Sequence, residues 1–215
     1  FVLSITKEDI MVPTVKSIVE TGFVLEGKYV PDYKDLGRLV KLFREGGYTI
    51  VLTQGVWDMY HVGHSRYLIK ARSFGDVLIV GVDSDELTRK MKGDDRPYDD
   101  FNDRAELLAG FGFLNIITRR DVGDHKYRLI KLVKPDVLVM SKTTKSFSLK
   151  DKAALEKYCG RIEYLEAQAP PASTSTTAKI RRLRLGGAQE LAGQINRAVE
   201  SVVVNYLGGG SDAKS

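Results

Sequence analysis

Cysteine is nearly missing from this chain. Its one example, Cys159, excludes an internal disulfide and fits a reducing compartment, so a cytoplasmic location is expected. Cys159 lies in "EKYCGRIEY", at an expected helix end, where a plain structural residue outweighs a nucleophile. No apolar run approaches the roughly 18 residues of a membrane span, so no membrane partner is expected. Lys7, Glu8 and Asp9 interrupt the apolar start, which argues against a signal peptide, and Phe at position 1 points to a trimmed stretch. A strong charge of one sign is lacking too. The net charge is +5, and the basic residues are scattered apart from Arg119–Arg120 and Arg181–Arg182. A nucleic-acid binder concentrates its charge in a stripe. An anionic small molecule explains that balance as well as RNA or DNA would; the partner expected from the whole reading is a small molecule and no nucleic acid. No internal repeat is visible.

What is present is an alternation. Apolar residues make up 43 % of the 215, enough for a sizeable core in one domain with extensions. Short Val/Ile/Leu-rich runs occur at 48–53, 76–82, 113–118, 136–140 and 161–166. Runs of this kind suit parallel strands covered on both faces. Helical patterns lie between them, at roughly 64–74, 84–91, 101–110, 124–134 and 148–159. The order predicts an α/β fold with a doubly wound, Rossmann-like, five-stranded parallel sheet. Residues 1–31 form an N-terminal extension, and 32–185 the core domain, which opens on a lead-in helix with Leu36, Leu39, Val40 and Phe43 on one face. Residues 186–207 read as a C-terminal amphipathic helix and 208–215 as a disordered tail. Leu191, Ile195, Ala198, Val199, Val202 and Tyr206 form one stripe on that helix, which predicts packing against protein, in the first place a second subunit.

Histidine is scarce, yet two of the three fall together in "TQGVWDMYHVGHSRYL", residues 53–68. They follow an apolar strand and open a helix. In doubly wound sheets, ligands bind beyond the carboxyl ends of strands. Gly55 and Gly63 carry no side chain, so a ligand can approach the backbone there. The amides of a first helical turn attract phosphate, and two imidazoles can add donors to it. A metal pair is the less favoured reading: the spacing lacks a third ligand and a HExxH glutamate. An ordinary helix start remains open on these residues alone. The remaining histidine, His125, is expected at a helix start in a structural role.

"GVWDMYHVGHSRYL" resembles the GxFDxxHxGHxxxL signature of the cytidylyltransferase-like nucleotidyltransferases, with Trp57 where Phe is usual. The family's second signature, a Ser/Thr-rich turn opening a late helix, is similar to "STSTTAKI" at 173–180. Over residues 34–185 the chain is also similar to the adenylyltransferases that activate heptose 1-phosphate. "VGVDSDELTRKMKG" is similar to choline-phosphate and ethanolamine-phosphate cytidylyltransferases as well. One departure stands out: after "KPDVLV" this chain reads "MSKTTKSFS" in place of a Lys-Gly-Gly-Asp turn, so the acceptor need not be a heptose phosphate.

The resemblance implies a HUP-type fold and transfer of AMP, or else CMP, from a nucleoside triphosphate to a phosphorylated sugar or alcohol, with pyrophosphate released. ATP is favoured over CTP. It implies His61 and His64 on the triphosphate, with Lys92 and Arg104 as further cations. Gln54, Gly55, Val56, Trp57, Gly63, Ser175, Thr176 and Thr177 would bind nucleotide. Asp58, Asp83, Lys142 and Lys145 would lie on the acceptor side; Asp58 is expected to order its turn, and Asp83 to cap a helix. Mg²⁺ is expected with the nucleotide, held by phosphate oxygens and water, with no dedicated protein metal site. Alternatives are a choline-, ethanolamine- or glycerol-phosphate cytidylyltransferase and a non-catalytic nucleotide-binding protein. A class I aminoacyl-tRNA synthetase shares the HxGH site, but this length leaves no tRNA-binding domain. A homodimer is expected.

Overall fold

The computed structural model describes residues 25–142, 154–168 and 176–208. Two compact units divide at Pro170 and Pro171. The first contains a five-stranded sheet. Strands β1 (Ile50–Gly55), β2 (Val77–Asp83), β3 (Ile116–Arg120), β4 (Val137–Ser141) and β5 (Arg161–Leu165) lie in the order β3-β2-β1-β4-β5. Every pairing is parallel. The order reverses between β1 and β4, which puts the topological switch point beside the end of β1. This is the doubly wound Rossmann-like sheet that the alternating runs predict.

Helices α1 (Tyr33–Glu45), α2 (Val62–Arg72), α3 (Asp85–Lys92), α4 (Phe101–Ala109) and α5 (Arg128–Val133) cover it. The Asp32 carboxylate caps α1 by accepting from the amides of Lys34 and Asp35, at 2.6 and 3.2 Å. Leu36, Leu39, Val40 and Phe43 are the buried face of α1, as their spacing predicts. They join Ile50, Leu52, Ile79, Ile116 and residues of α5 in one core layer. The opposite layer joins Val51, Leu78, Val80 and Ile117 to Leu68 and Ala71 of α2 and to Ala105 and Leu108 of α4. Fully burying a Val, Leu, Ile or Phe side chain in these layers is worth roughly 1.5–3 kcal/mol. All seven residues of β2 are buried, which is why that strand reads as an apolar run up to Asp83.

Several boundaries differ from the sequence patterns. The run at 113–118 starts too early: Leu114 closes a turn onto the Phe111 carbonyl, and the Asn115 carboxamide accepts from the Leu78 amide at 2.8 Å. The Asn115 amide donates to the Leu78 carbonyl at 3.2 Å, and the strand proper starts at Ile116. The pattern at 124–134 becomes helical at Arg128, because Asp124 and His125 are used in a preceding turn. His125 is thus exposed in a turn, with Nδ1 accepting from the Tyr127 amide. Of the helix expected at 148–159, residues 154 and 155 are helical and 148–153 lie outside the described residues.

Part of the N-terminal extension adds to the sheet edge. Tyr29 forms a parallel bridge with Ile117. Lys28 is buried, with Nζ donating to the carbonyls of Ala109 and Phe111, both at 2.8 Å. These two carbonyls lie at the end of α4, where a cation is favourable. Burial lowers the Lys28 pKa.

The second unit contains one continuous helix, α6 (Thr176–Gly208). A separate helix beginning at 186 is therefore not formed: Gly186 and Gly187 lie inside α6. Each glycine costs about 1 kcal/mol in a helix interior. The Arg, Leu, Ala and Gln residues around them are good helix formers and offset that cost. Leu191, Ile195 and Val199 are more than half exposed, at 57, 53 and 55 %. Residues 209–215 of the expected tail lie outside the described residues.

Candidate active site

The segment between β1 and α2 is tightly determined. Trp57 and Met59 adopt left-handed backbone angles, with φ of 62° and 47°. Such conformations cost of order 1–3 kcal/mol each and persist where the surroundings impose them. The surroundings here are explicit. The Trp57 indole N–H donates to the Gly81 carbonyl at 3.2 Å. The Met59 amide donates to Asp99 Oδ2 at 2.6 Å. The buried Asp58 carboxylate accepts from the amides of Tyr98 and Asp99, both at 3.0 Å, and pairs with Arg96. Asp58 thus orders its turn by clamping residues 96–99. A Cβ at Gly55 would make ordinary contact with the indole, 3.4 Å from Trp57 Cε2.

His61 is the N-cap of α2, and its Nδ1 accepts from the Gly63 amide at 3.1 Å. A neutral ring accepting at Nδ1 carries its proton on Nε2. The rings of His61 and His64 stack at 3.9 Å and 18°. Trp57 meets His64 edge-on at 5.5 Å, and Tyr60 lies 5.3 Å from the same ring. Tyr60 in turn stacks on Phe111 at 5.2 Å. Two imidazoles are thereby held at the carboxyl end of β1, beside the switch point, at a helix N-terminus. Oriented donors at such a position suit a phosphate group whose charge grows during reaction. The nearby Tyr67 hydroxyl is pushed up to about 12 by burial, although its 3.0 Å bond with Thr53 pulls it down. It stays a neutral phenol.

Arg104 departs from its expected role. It is buried, and its guanidinium is committed to protein. Nε donates to the carbonyls of Asp99 and Asp100, at 2.9 and 3.2 Å. Nη1 donates to those of Val56 and Asp83, at 2.5 and 2.9 Å, and Nη2 pairs with Asp85 at 2.5 Å. Arg104 is a strut that ties the ends of β1 and β2 to the start of α4. Asp83 departs as well. The cap of α3 is Ser84, whose Oγ accepts from the Leu87 amide at 3.1 Å. Asp83 is buried and bonded to Arg120 Nη1 at 2.6 Å; burial raises its pKa, and Arg120 opposes that shift.

Lys92 ends α3 as an exposed residue. Desolvation of its ammonium, then the charge of Arg96, holds it below the ordinary lysine range, while Asp83 and Asp58 pull the other way. Lys142 follows β4 and pairs with Glu166 after β5. Ser175 and Lys145 lie outside the described residues, and Thr176 and Thr177 are the first residues of α6. Val56 is buried at the end of β1, and Gly63 is buried in the first turn of α2. Among the described residues, no group of three or more His, Cys, Asp or Glu could hold a metal ion. Sequence reasoning missed Arg96, Asp99 and Arg120. The dense charge in "KGDDRPYDD" was a signal for the first two.

A family model described as cytidylyltransferase-like matches residues 52–182, from β1 into α6. The chain belongs to the cytidylyltransferase-like family. Two curated relatives are the bifunctional proteins HldE of a Nitratiruptor species and of Geotalea uraniireducens. The first is 37 % identical over 157 residues, covering 73 % of this chain and 32 % of the relative. The second is 36 % identical over 155 residues, covering 72 % and 31 %. This family member thus spans about a third of the length of these relatives. A lipopolysaccharide core biosynthesis protein from Thermoplasma volcanium is similar in structure, with 26 % identity and a TM-score of 0.50. That match covers 55 % of this chain and 97 % of the other.

Proposed function

We propose that this chain transfers a nucleotidyl group, AMP in preference to CMP, from a nucleoside triphosphate to a phosphorylated sugar or alcohol. A phosphate oxygen of the acceptor attacks the α-phosphorus. A new P–O–P bond forms, the bond from the α-phosphorus to the β-phosphate oxygen breaks, and pyrophosphate leaves with that electron pair. No covalent protein intermediate is required; positioning and charge stabilisation carry the reaction. The observation that supports this reading best is the stacked His61–His64 pair at the first turn of α2. On this reading His61 Nε2 and His64 face the triphosphate, and Gly63, whose amide is bonded to His61 Nδ1, lies between them. Lys92 supplies a cation, and Ser175, Thr176 and Thr177 bind nucleotide phosphate. Lys142 and Lys145 govern the acceptor.

Mg²⁺ enters with the nucleotide, held by phosphate oxygens and water. Among the described residues no helix is long and apolar enough to cross a membrane. The reading includes a homodimer, supported by the exposed apolar residues of α6. Similarity to the HldE proteins, at 37 and 36 % identity, favours ATP and a sugar phosphate. Pyrophosphate release over sugar and alcohol phosphates, with ATP and CTP in parallel, tests the proposal. Turnover with at least one pair is expected, and clear CTP preference would move the acceptor toward an alcohol phosphate.

A further inference from the structure

The sheet register sets Gln54 beside Gly81 and Gly81 beside Thr118, across β1, β2 and β3. Two residues further on, Asp83 is registered with Arg120. Strand residues alternate between faces, so Gln54, Gly81, Asp83, Thr118 and Arg120 share one face. It is the face of α1 and α5. A Cβ at Gly81 would lie 2.7 Å from Leu129 Cδ2 of α5, 3.0 Å from Arg120 Cδ and 3.1 Å from Gln54 Cβ. Thr53, one residue before Gln54, points the other way and bonds Tyr67 of α2. The Gln54 side chain is therefore directed away from the layer that carries the histidine helix.

This row ends in polar groups that the protein leaves incompletely used. Gln54 Oε1 is buried and meets no donor among the described residues, and the same holds for Thr118 Oγ1. Buried polar atoms are nearly always paired, so an unmet amide oxygen at the ligand-binding end of a strand points to a ligand donor. Arg120, its aliphatic stem laid over Gly81, reaches Asp83 at 2.6 Å. Among the described residues this is the one side-chain bond of its guanidinium, which has five N–H donors. Lys92 lies within electrostatic range of Asp83, adding a cation at the same strand end. Acceptors (Gln54 Oε1, Asp83) and donors (Arg120) thus stand side by side. A hydroxyl, which donates and accepts at once, satisfies both kinds. A quaternary ammonium group satisfies neither.

We propose that Gln54, Asp83 and Arg120 form a subsite that reads hydroxyl groups of the acceptor, so that the acceptor is a polyhydroxylated phosphate monoester rather than an alkylammonium one. The inference deepens the nucleotidyl-transfer reading and rests on it for the word acceptor. It also moves Gln54 from the nucleotide to the acceptor. Sites built to hydrogen-bond a hydroxyl reject analogues that lack it.

The test separates binding from chemistry. The full chain is saturated with the non-hydrolysable analogue AMPCPP and Mg²⁺, then titrated calorimetrically with mannose 1-phosphate, glycerol 3-phosphate and choline phosphate. The expected result is tighter binding of either hydroxylated ester than of choline phosphate. Gln54→Leu should weaken that binding about ten-fold, the size of one good hydrogen bond. It should leave choline phosphate binding and AMPCPP affinity within about two-fold, a change too small to signal a lost hydrogen bond. Gln54→Met, of the same length, stands in if Gln54→Leu does not fold, and Arg120→Met checks the donor side with the same expectation. Unchanged affinity for the hydroxylated esters in these variants, an equal loss of AMPCPP affinity, or no binding of hydroxylated esters to the wild type overturns the subsite. Absence of pyrophosphate release with all three esters, where ATP replaces the analogue, overturns the transfer reading instead and leaves the binding result to be judged by itself.

Discussion

His61 Nδ1 accepts the Gly63 amide at 3.1 Å, so the ring that the proposal sets against the triphosphate is also the cap of α2. The two duties can be separated by substitution. Asparagine is a good N-cap. His61→Asn should therefore keep the melting temperature while turnover falls about 10²–10³-fold, the usual size for a lost oriented donor. His61→Ala should lose as much turnover and also about 1 kcal/mol of stability, the usual loss when a cap is removed. Thermal melts beside steady-state rates decide it. A His61→Asn protein that retains near-wild-type turnover would remove His61 from the chemistry.

Arg104 yields the opposite forecast. Its guanidinium holds four carbonyls and the Asp85 carboxylate from a buried position. Removing one partner of a buried charged pair costs roughly 3–5 kcal/mol. Arg104→Met should unfold at clearly lower denaturant concentration than the wild type. Arg104→Lys should recover little, since an ammonium has three donors and no planar fork. Wild-type stability in Arg104→Met, with turnover alone lost, would return Arg104 to a ligand role.

Lys92 supplies a pH dependence. Its pKa is held below the ordinary 10.5. The charged form is the protonated one, so it is lost as pH rises through the lowered value. If Lys92 binds phosphate, the alkaline limb of kcat/KM falls earlier than an ordinary lysine would dictate. Lys92→Arg stays charged throughout and should carry that limb to higher pH. A limb that does not move assigns the ionisation to another group.

Much of this was legible in the sequence. The central strands are rich in Val, Ile and Leu because the sheet is covered on both faces there, and the HxGH spacing marked the strand-to-helix junction. Two kinds of information were not legible. Arg104 looks like a surface helix arginine in "NDRAELL"; its burial follows from the ends of β1 and β2 meeting the start of α4, a tertiary fact. Asp83 precedes a helix and so resembles a cap. The adjacent Ser84 performs that duty, because the Arg120 opposite Asp83 becomes visible only through the pairing of β2 with β3.

Leu191, Ile195 and Val199 recur at four-residue spacing and are exposed. Self-association through α6 is the expected outcome, and light scattering on Ile195→Glu should show a smaller mass than the wild type. A wild-type monomer removes the homodimer from the account.

Nucleotidyl transfer itself is tested most directly by product mass. The full chain is incubated with ATP or CTP, Mg²⁺ and a panel of sugar and alcohol phosphates, and the products are weighed by mass spectrometry while pyrophosphate is counted. The account predicts a nucleoside diphosphate-linked product in a one-to-one ratio with pyrophosphate, abolished in His64→Ala. Bound nucleotide with neither product nor pyrophosphate, across the whole panel, would contradict it.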